Sequence, residues 1–343
     1  MKSTVSEIYP EQSAILAPLA GYTDLAFRRT ARACGCYYAF TPLVEAGSVV
    51  YGTERTISAL RRGADEPWLG VQLLTAKPDL LAEAAHRLRD YPFDVVDLNM
   101  GCPVRKVTKR GAGAALCRTP ELAARCVEAL TSVVKAPVSA KIRIVDGQSP
   151  DQTVALAQIL YEAGISALTI HGRTLEQVYS GRVAAEIIRA VCDALPIPVV
   201  ANGGVMNYAA AAGLRRESGS SRIMIARGAI GNPWIFRSLK CGHDAPPQHE
   251  ELCDALEEHV SGVLELYGED AGLRYCRKII AAYLCGRGYR RSLRAQVTGI
   301  STQNEFRKFM LTVRTEGPVK TVAKAVAGNP PDSKPAEGIT TKK

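Results

Sequence analysis

At the end of an apolar stretch that starts with Phe93, the chain reads Asp97-Leu98-Asn99-Met100-Gly101-Cys102-Pro103. An amide, a thiol, a glycine and a proline crowd the point where a buried strand should stop. Parallel α/β barrels put their chemistry at such points, because the loops after the strand C-termini line the mouth of the active site. A lone cysteine there is often only a small buried hydrophobe, so its role depends on what the other strand ends supply. They supply Pro18-Leu19-Ala20, Gln72, Lys141 with Arg143 on one strand face, His171-Gly172-Arg173, Asn202-Gly203-Gly204 and Ala226-Arg227-Gly228. A lysine inside an apolar strand is costly unless an anion or a hydrogen-bonding ligand meets it. Barrels often build a phosphate site from their last two loops and the N-terminus of a short helix. The glycines after Asn202 and Arg227 suit that use, and Arg227 adds a guanidinium fork. A phosphate there, with Gln72, Lys141 and His171 deeper along the rim, describes a flat heterocycle on a phosphorylated tail. FMN fits the description, with Lys141 at the pyrimidine edge of the ring. No metal-ligand cluster and no Ser-His-Asp arrangement stands out, so no metal is expected.

These groups need a scaffold that brings strand ends together. Eight short runs rich in Val, Ile and Leu recur along the chain: 15–17, 38–41, 69–73, 95–98, 138–144, 167–170, 199–201 and 222–226. Between them lie stretches with helical periodicity, such as 79–88, 120–134, 153–162 and 186–194. Strands alternating with helices predict a parallel sheet. Eight such units over some 225 residues predict closure into a (β/α)8 TIM barrel, an α/β fold. A doubly wound open sheet would want a Gly-x-Gly-x-x-Gly turn after its first strand; here that strand runs into Pro18-Leu19-Ala20-Gly21. After Phe236 the pattern changes. Residues 242–249 are polar and contain Pro246-Pro247, and from Leu252 to about Val313 only helical periodicity remains. The expected organisation is a barrel over 1–241, a small all-helical domain over 250–315 and a disordered tail over 316–343. The tail has four prolines, five lysines and no aromatic residue, too little apolar surface to order itself.

The net charge of +9 over 343 residues is unevenly placed. Residues 271–343 hold 15 Lys and Arg against 4 Asp and Glu, so the first 270 residues are close to neutral. Such asymmetry suggests a polyanion-binding end on a near-neutral body. No apolar run approaches the ~20 residues of a membrane span, so no membrane is expected. The first residues, Met1-Lys2-Ser3-Thr4-Val5-Ser6-Glu7, carry no apolar core of a signal peptide. The ten cysteines include no Cys-x-x-Cys pair and read as reduced thiols of a cytoplasmic protein.

The order of these motifs resembles the tRNA-dihydrouridine synthases, and looks closest to their bacterial DusB-like branch. The resemblance rests on Ala17-Pro18-Leu19-Ala20-Gly21-Tyr22-Thr23-Asp24 with Phe27-Arg28, Val71-Gln72-Leu73, the run from Asp97 to Pro103 and the loop from Lys109 to Leu116. Lys141-Ile142-Arg143, His171-Gly172-Arg173-Thr174, Asn202-Gly203-Gly204 and Arg227-Gly228-Ala229-Ile230-Gly231-Asn232-Pro233-Trp234 complete it, from about residue 14 to 240. It implies reduction of the C5–C6 double bond of specific uridines in tRNA, with FMN recharged by NADPH. It also implies that Cys102 donates a proton to C5 and that Asn99 and Arg143 face the uracil. A thiol with a pKa near 8.5 is mostly protonated at pH 7 and can serve as an acid. The target base must leave its stack to reach the ring. Three positions depart from the family's usual pattern: Leu19 for Met, Pro42-Leu43 for Glu-Met, and Gly204 for Asp.

The basic end fits the same picture. Arg274, Arg277, Lys278, Arg287, Arg290, Arg291 and Arg294 fall in a window with no acidic residue between Asp270 and Glu305, and Tyr275, Tyr283 and Tyr289 interleave with them. Basic stripes bind phosphates, and aromatic faces stack unpaired bases. A monomer is expected. Two other readings remain open at this point: an FMN barrel oxidoreductase acting on a small molecule of the dihydroorotate kind, and an RNA-binding barrel that has lost catalysis. The basic helical end speaks against the first; intact Cys102, Lys141 and His171 speak against the second.

Overall fold

In a computed structural model, which describes residues 8–319, the eight expected strands form one closed, all-parallel barrel. They are β1 (Ala14–Leu16), β2 (Tyr38–Phe40), β4 (Leu69–Leu74), β5 (Val95–Met100), β6 (Val138–Arg143), β7 (Ala167–His171), β8 (Val199–Asn202) and β9 (Arg222–Ile225). A two-residue piece, β3 (Val44–Glu45), continues the β2 position. Both pair with β4, Phe40 opposite Gly70 and Val44 opposite Leu73. The break falls at Pro42, which has no N–H to give the ladder. The barrel closes through β1 on β9 and β2 on β4.

Alternation along the strands sorts the side chains. Val71, Leu73, Val96, Leu98, Ala140, Ile142, Leu168, Ile170, Ala201 and Ile223 point outward into one continuous core beneath the surrounding helices. The inward set is different at its two ends. Ile15, Phe40, Val95, Ala167, Val200 and Met224 fill the N-terminal half of the interior with apolar groups. Gly70 makes room for them, because a Cβ there would lie 2.4 Å from the Phe40 ring. The next inward positions toward the strand C-termini are Gln72, Asp97, Asn99, Ser139, Lys141, His171 and Asn202. Register fixes their neighbours: Gln72 beside Asp97, Asn99 beside Lys141, Arg143 beside His171, and His171 beside Asn202.

Helices Leu25–Ala33, Pro78–Leu88, Pro120–Thr131, Asp151–Glu162, Ala185–Ala194 and Tyr208–Ser218 flank the barrel. Proline opens two of them, where a missing N–H costs nothing. Asp24 caps the first by accepting from Phe27 N at 2.9 Å. Cys34 ends that helix, and Gly35 follows at φ +95°. All ten cysteines are unpaired thiols.

Beyond the barrel, the helix Ile235–Cys241 ends at Gly242 and the chain turns to His249. Residues His249–Leu284 are helical but break at Gly268, where φ +74° and ψ 173° suit only glycine. The two halves fold back on each other, so Tyr267 meets Tyr275 and His259 Nδ1 lies 3.1 Å from the Tyr283 hydroxyl. Short helix Arg291–Gln296 and helix Gln303–Glu316 complete the group. Their shared core includes Leu256, Val260, Ile279, Ile280 and Phe306, and it takes in Ala26 and Trp234 from the barrel. Trp234 Nε1 donates to Glu251 at 2.8 Å, and the Tyr267 hydroxyl donates to Asp24 at 3.2 Å. The expected tail lies outside the described residues from 320 onward. Its first four residues correct the expectation: Glu316 closes the last helix, and Val319 N bonds the Gly288 carbonyl at 3.0 Å.

Candidate active site

The inward polar residues of β4, β5 and β6 form a directed chain of hydrogen bonds. Ser139 Oγ donates to Asp97 Oδ1 at 2.6 Å, and Gln72 Nε2 donates to Asp97 Oδ2 at 2.7 Å. Asn99 Nδ2 donates to Gln72 Oε1 at 2.7 Å. Asn99 Oδ1 in turn accepts from the backbone N–H groups of Gly101 (3.2 Å) and Cys102 (3.0 Å). Arg143 clamps the same loop from β6, its Nε donating to the Gly101 carbonyl at 2.7 Å and Nη1 to the Thr174 carbonyl at 3.0 Å. From the far side, Ala114 N donates to the Cys102 carbonyl at 3.0 Å. Gly113 makes that approach possible: at φ +61°, a Cβ would sit 2.6 Å from the Cys102 oxygen. Cys102 is half-buried, and burial pushes its thiol pKa up, with the Glu45 charge adding to the effect. The thiol is therefore held protonated at neutral pH. Glu45, three residues after Pro42, is ion-paired to Arg110 at 3.1 Å.

Farther round the barrel, Lys141 Nζ donates to Asn202 Oδ1 at 3.0 Å, and Asn202 Nδ2 donates to the Met224 carbonyl at 2.7 Å. Burial, with the Arg143 charge behind it, lowers the Lys141 pKa to about 8, so the ammonium is still the main form at pH 7. His171 is held neutral by burial and by the cations Lys141, Arg143, Arg173 and Arg227. Gly203, at φ +127°, leaves open a space in which a Cβ would meet the His171 ring at 3.0 Å. Gly204 follows at φ +68°, and Gly228 passes so close to the Val205 carbonyl that a Cβ would lie 2.0 Å from it. These glycines do not open a helix, contrary to expectation. The helix after β8 starts only at Tyr208, capped by Asn207, and Gly228 lies inside a single 3-10 turn, Arg227–Ala229. The cradle is therefore made of loop backbone. Pro18 and Leu19 are half-buried at the rim and Ala20 is exposed; Leu19 N donates to Thr23 Oγ1 at 3.0 Å. Ala226 leads into the Arg227 turn.

Three side chains at the mouth were not singled out in the sequence for the work they do here. Asp97 and Ser139 anchor the chain of hydrogen bonds, and strand parity with Asn99 and Lys141 was the signal available. Tyr179 stands half-exposed with the Arg227 guanidinium 4.6 Å from its ring centre and Arg143 at 5.7 Å. The residue before it, Val178, takes φ +50°, unusual for a branched side chain.

The basic window divides. Arg274 and Arg291 are exposed and make no side-chain hydrogen bond or ion pair among the described residues; Arg290 is exposed, 3.9 Å from Glu316. Arg277 and Arg287 are committed to the fold. Arg277 Nη2 donates to the Ile300 carbonyl at 2.9 Å, and Arg287 Nη1 donates to the Gly231 carbonyl at 2.8 Å. Arg294 is partly buried, with Nη1 3.7 Å from the Cys285 sulfur. Lys278 reaches the barrel rim, donating to the Gly21 carbonyl, with Nζ 4.3 Å from the Tyr22 ring centre and 4.2 Å from that of Tyr275. Tyr283 and Tyr289 are buried, so the expected stacking faces are not available from them. Among the described residues no cluster of His, Cys, Asp and Glu could hold a metal, and no helix is long and apolar enough to cross a membrane.

Residues 15–316 match the family model described as dihydrouridine synthase. The chain is 36% identical over 277 residues to "tRNA-dihydrouridine synthase B" of Shewanella oneidensis, covering 79% of this chain and 85% of that one. It is 35% identical over 288 residues to the protein of the same name from Pseudomonas aeruginosa, covering 82% and 86%. A "probable tRNA-dihydrouridine synthase" of Rickettsia conorii is 35% identical over 289 residues, covering 82% and 87%. Among solved structures, histamine dehydrogenase from Rhizobium sp. 4-9 shares the barrel fold, with a TM-score of 0.52 at 13% identity. That likeness covers 73% of this chain and about half, 48%, of the dehydrogenase.

Proposed function

This chain belongs to the dihydrouridine synthase family, and from that premise we propose that it reduces the C5–C6 double bond of specific uridines in tRNA, using FMN and NADPH. The observation that carries the reading is the Cys102 thiol, kept protonated by burial on a loop clamped by Asn99 and Arg143, at a mouth lined by Lys141, Asn202 and His171.

The mouth fits FMN in the chemistry of its donors and in the space its glycines leave. Pro18, Leu19, Ala20, Gln72, Lys141 and His171 would surround the ring system. Asn202, Gly203, Gly204, Ala226 and Arg227 would hold the phosphate, by backbone N–H groups and a guanidinium. With FMN held there, the hydride for C6 would come from its reduced ring, and NADPH would restore it.

The chain's own residues do the rest. Cys102 holds the proton that C5 requires, so the base gains one hydride and one proton in total; the thiolate left behind recovers its proton from water. Asn99 uses one Nδ2 hydrogen on Gln72 and keeps the other for a uracil carbonyl. Arg143 has Nη2 left over after its bonds to Gly101 and Thr174, and its charge suits the oxygen that becomes electron-rich as the ring is reduced. Lys141, an ammonium at neutral pH, favours negative charge at the pyrimidine edge. The exposed Arg274, Arg290 and Arg291 are the groups available to tRNA phosphates; Arg277 and Arg294 have mainly structural work, and Lys278 is engaged at the barrel rim. We take the barrel over 1–241 and the helical domain from 250 through its last helix, which ends at Glu316, as the two working parts of a cytoplasmic monomer, where tRNA and NADPH are both at hand.

The test uses tRNA from a strain lacking this protein. Incubation with the purified, flavin-loaded protein and NADPH should add two hydrogens to particular uridines, read by mass spectrometry of nuclease fragments. A protein that oxidises NADPH but leaves every tRNA uridine unreduced would overturn the reading.

A further inference from the structure

Asp97 has no part in the chemistry described so far, yet it is 2% exposed at the centre of the polar layer, between Ser139 and Gln72. A carboxylate buried inside a barrel is costly. Packing alone would be served by an apolar residue, as at the inward positions one layer below. Its two oxygens accept and cannot donate when ionised. At the other end of the chain, the Gly101 and Cys102 backbone N–H groups donate and cannot accept. Between these fixed ends stand two amides, Gln72 and Asn99, each able to point either way. Only one arrangement satisfies every group: Gln72 turns its nitrogen to Asp97 and its oxygen to Asn99, which turns its own oxygen to the Cys102 loop.

We propose that Asp97 is a positioning residue that sets the direction of this hydrogen-bond chain and thereby holds the Cys102 loop in place for proton delivery. The inference deepens the function proposed above and rests on it for the word delivery; the geometry it invokes does not. Reversing the polarity at Asp97 should reverse both amides. Asparagine has nearly the same shape; where the Ser139 hydroxyl keeps donating to Oδ1, as it does in the parent, the asparagine presents an N–H to the Gln72 nitrogen. Gln72 must then flip to offer its oxygen, and its nitrogen faces Asn99. Asn99 flips in turn and aims its NH2 at two backbone N–H groups. The loop loses both of its hydrogen bonds to Asn99 without any change in side-chain volume.

The experiment is the rate of Cys102 alkylation by iodoacetamide, followed by peptide mass spectrometry to separate it from the other nine thiols. Four flavin-loaded proteins are compared: parent, Asp97→Asn, Ser139→Ala, and the double variant Gln72→Glu with Asp97→Asn. Asp97→Asn should alkylate at Cys102 roughly tenfold faster, the factor expected for the net strength of one or two lost hydrogen bonds. With tRNA, its kcat should fall by a similar factor while KM stays put. Ser139→Ala leaves the direction of the chain intact and should alkylate at the parental rate. The double variant puts the acceptor-only group at position 72, facing the newly introduced amide donor at position 97 on one side and Asn99 on the other. Its Cys102 should return to the parental alkylation rate. A parental rate in Asp97→Asn, or an Asp97→Asn rate in Ser139→Ala, overturns the proposal. Should Asp97→Asn alone fail to fold, a double variant that fails too, or that keeps the fast rate, does the same. A parent that leaves tRNA unreduced would count against the proposed function only, since the alkylation rates are read without tRNA.

Discussion

Exposed and committed arginines of the C-terminal helices should behave oppositely when each is changed to glutamine. Arg274 and Arg291 face solvent, whereas Arg277 spends Nε and Nη2 on the Ile300 carbonyl at 3.1 and 2.9 Å. If the exposed pair meets tRNA phosphates, each lost contact lowers the log–log salt slope of binding by about 0.9. At ~0.15 M salt, counterion release on that scale is worth about fivefold in affinity per contact, so the double variant Arg274→Gln/Arg291→Gln should bind about 30-fold more weakly. Arg277→Gln should leave the slope unchanged. It should lower stability instead, by about 1.5–3 kcal/mol for the lost hydrogen bonds from a charged group. Fluorescence anisotropy of labelled tRNA at four or five salt concentrations gives the slopes, and urea melts give the stabilities. A double variant with the parental slope would refute the assignment, and so would an Arg277→Gln protein whose slope falls while its melt stays put.

Three further outcomes are expected. Cys102→Ala should cut tRNA reduction by about 10²–10⁴-fold, with flavin content, read by absorbance, unchanged. Lys141→Met should weaken FMN retention; in the parent, retention measured by ultrafiltration should decline as pH rises through about 8, where Lys141 loses its proton. Glu66→Ala should cost about 3–5 kcal/mol in denaturant melts, because it strands the fully buried Arg28, now held to both Glu66 oxygens at 2.8 Å. Burial alone would raise the Glu66 carboxyl, but the bonds and charge of Arg28 hold it below its ordinary value. The pair's contribution should therefore be complete above the unfolded carboxyl's pKa, about 4.3, and be lost as pH falls through the folded one.

The barrel was legible because every strand buries both faces, and such strands read as short Val/Ile/Leu runs regardless of what surrounds them. Gln72, Lys141, His171 and Asn202 were legible for the complementary reason: each is a polar intrusion at the end of such a run. The basic window was harder. A helix's charges can be counted from sequence, but which of them turn toward a neighbouring carbonyl depends on how the helices pack. Arg277 and Arg287 therefore read the same as Arg274 and Arg291 until Ile300 and Gly231 were in place. Tyr283 and Tyr289 failed as stacking faces for the same reason, since apolar helix positions and exposed aromatics look alike without a partner surface. Asp97 stood in plain view at the head of the run that ends in Cys102-Pro103, yet its task depends on Ser139, 42 residues further along.

The helical region has no core wholly its own, since Ala26 and Trp234 come from the barrel. On the function proposed above, this seam works as a protractor. Trp234 meets Tyr283 edge to face across this seam, so the angle at which an RNA lying on Arg274 and Arg291 entered the mouth would follow from that packing, at a place no reacting atom touches. Relatives with the same Lys141, Asn99 and Cys102 could then reach different uridines by recutting this joint alone. Target choice and chemistry would be free to evolve separately, one in the packing of an indole and the other in a ring of strand ends.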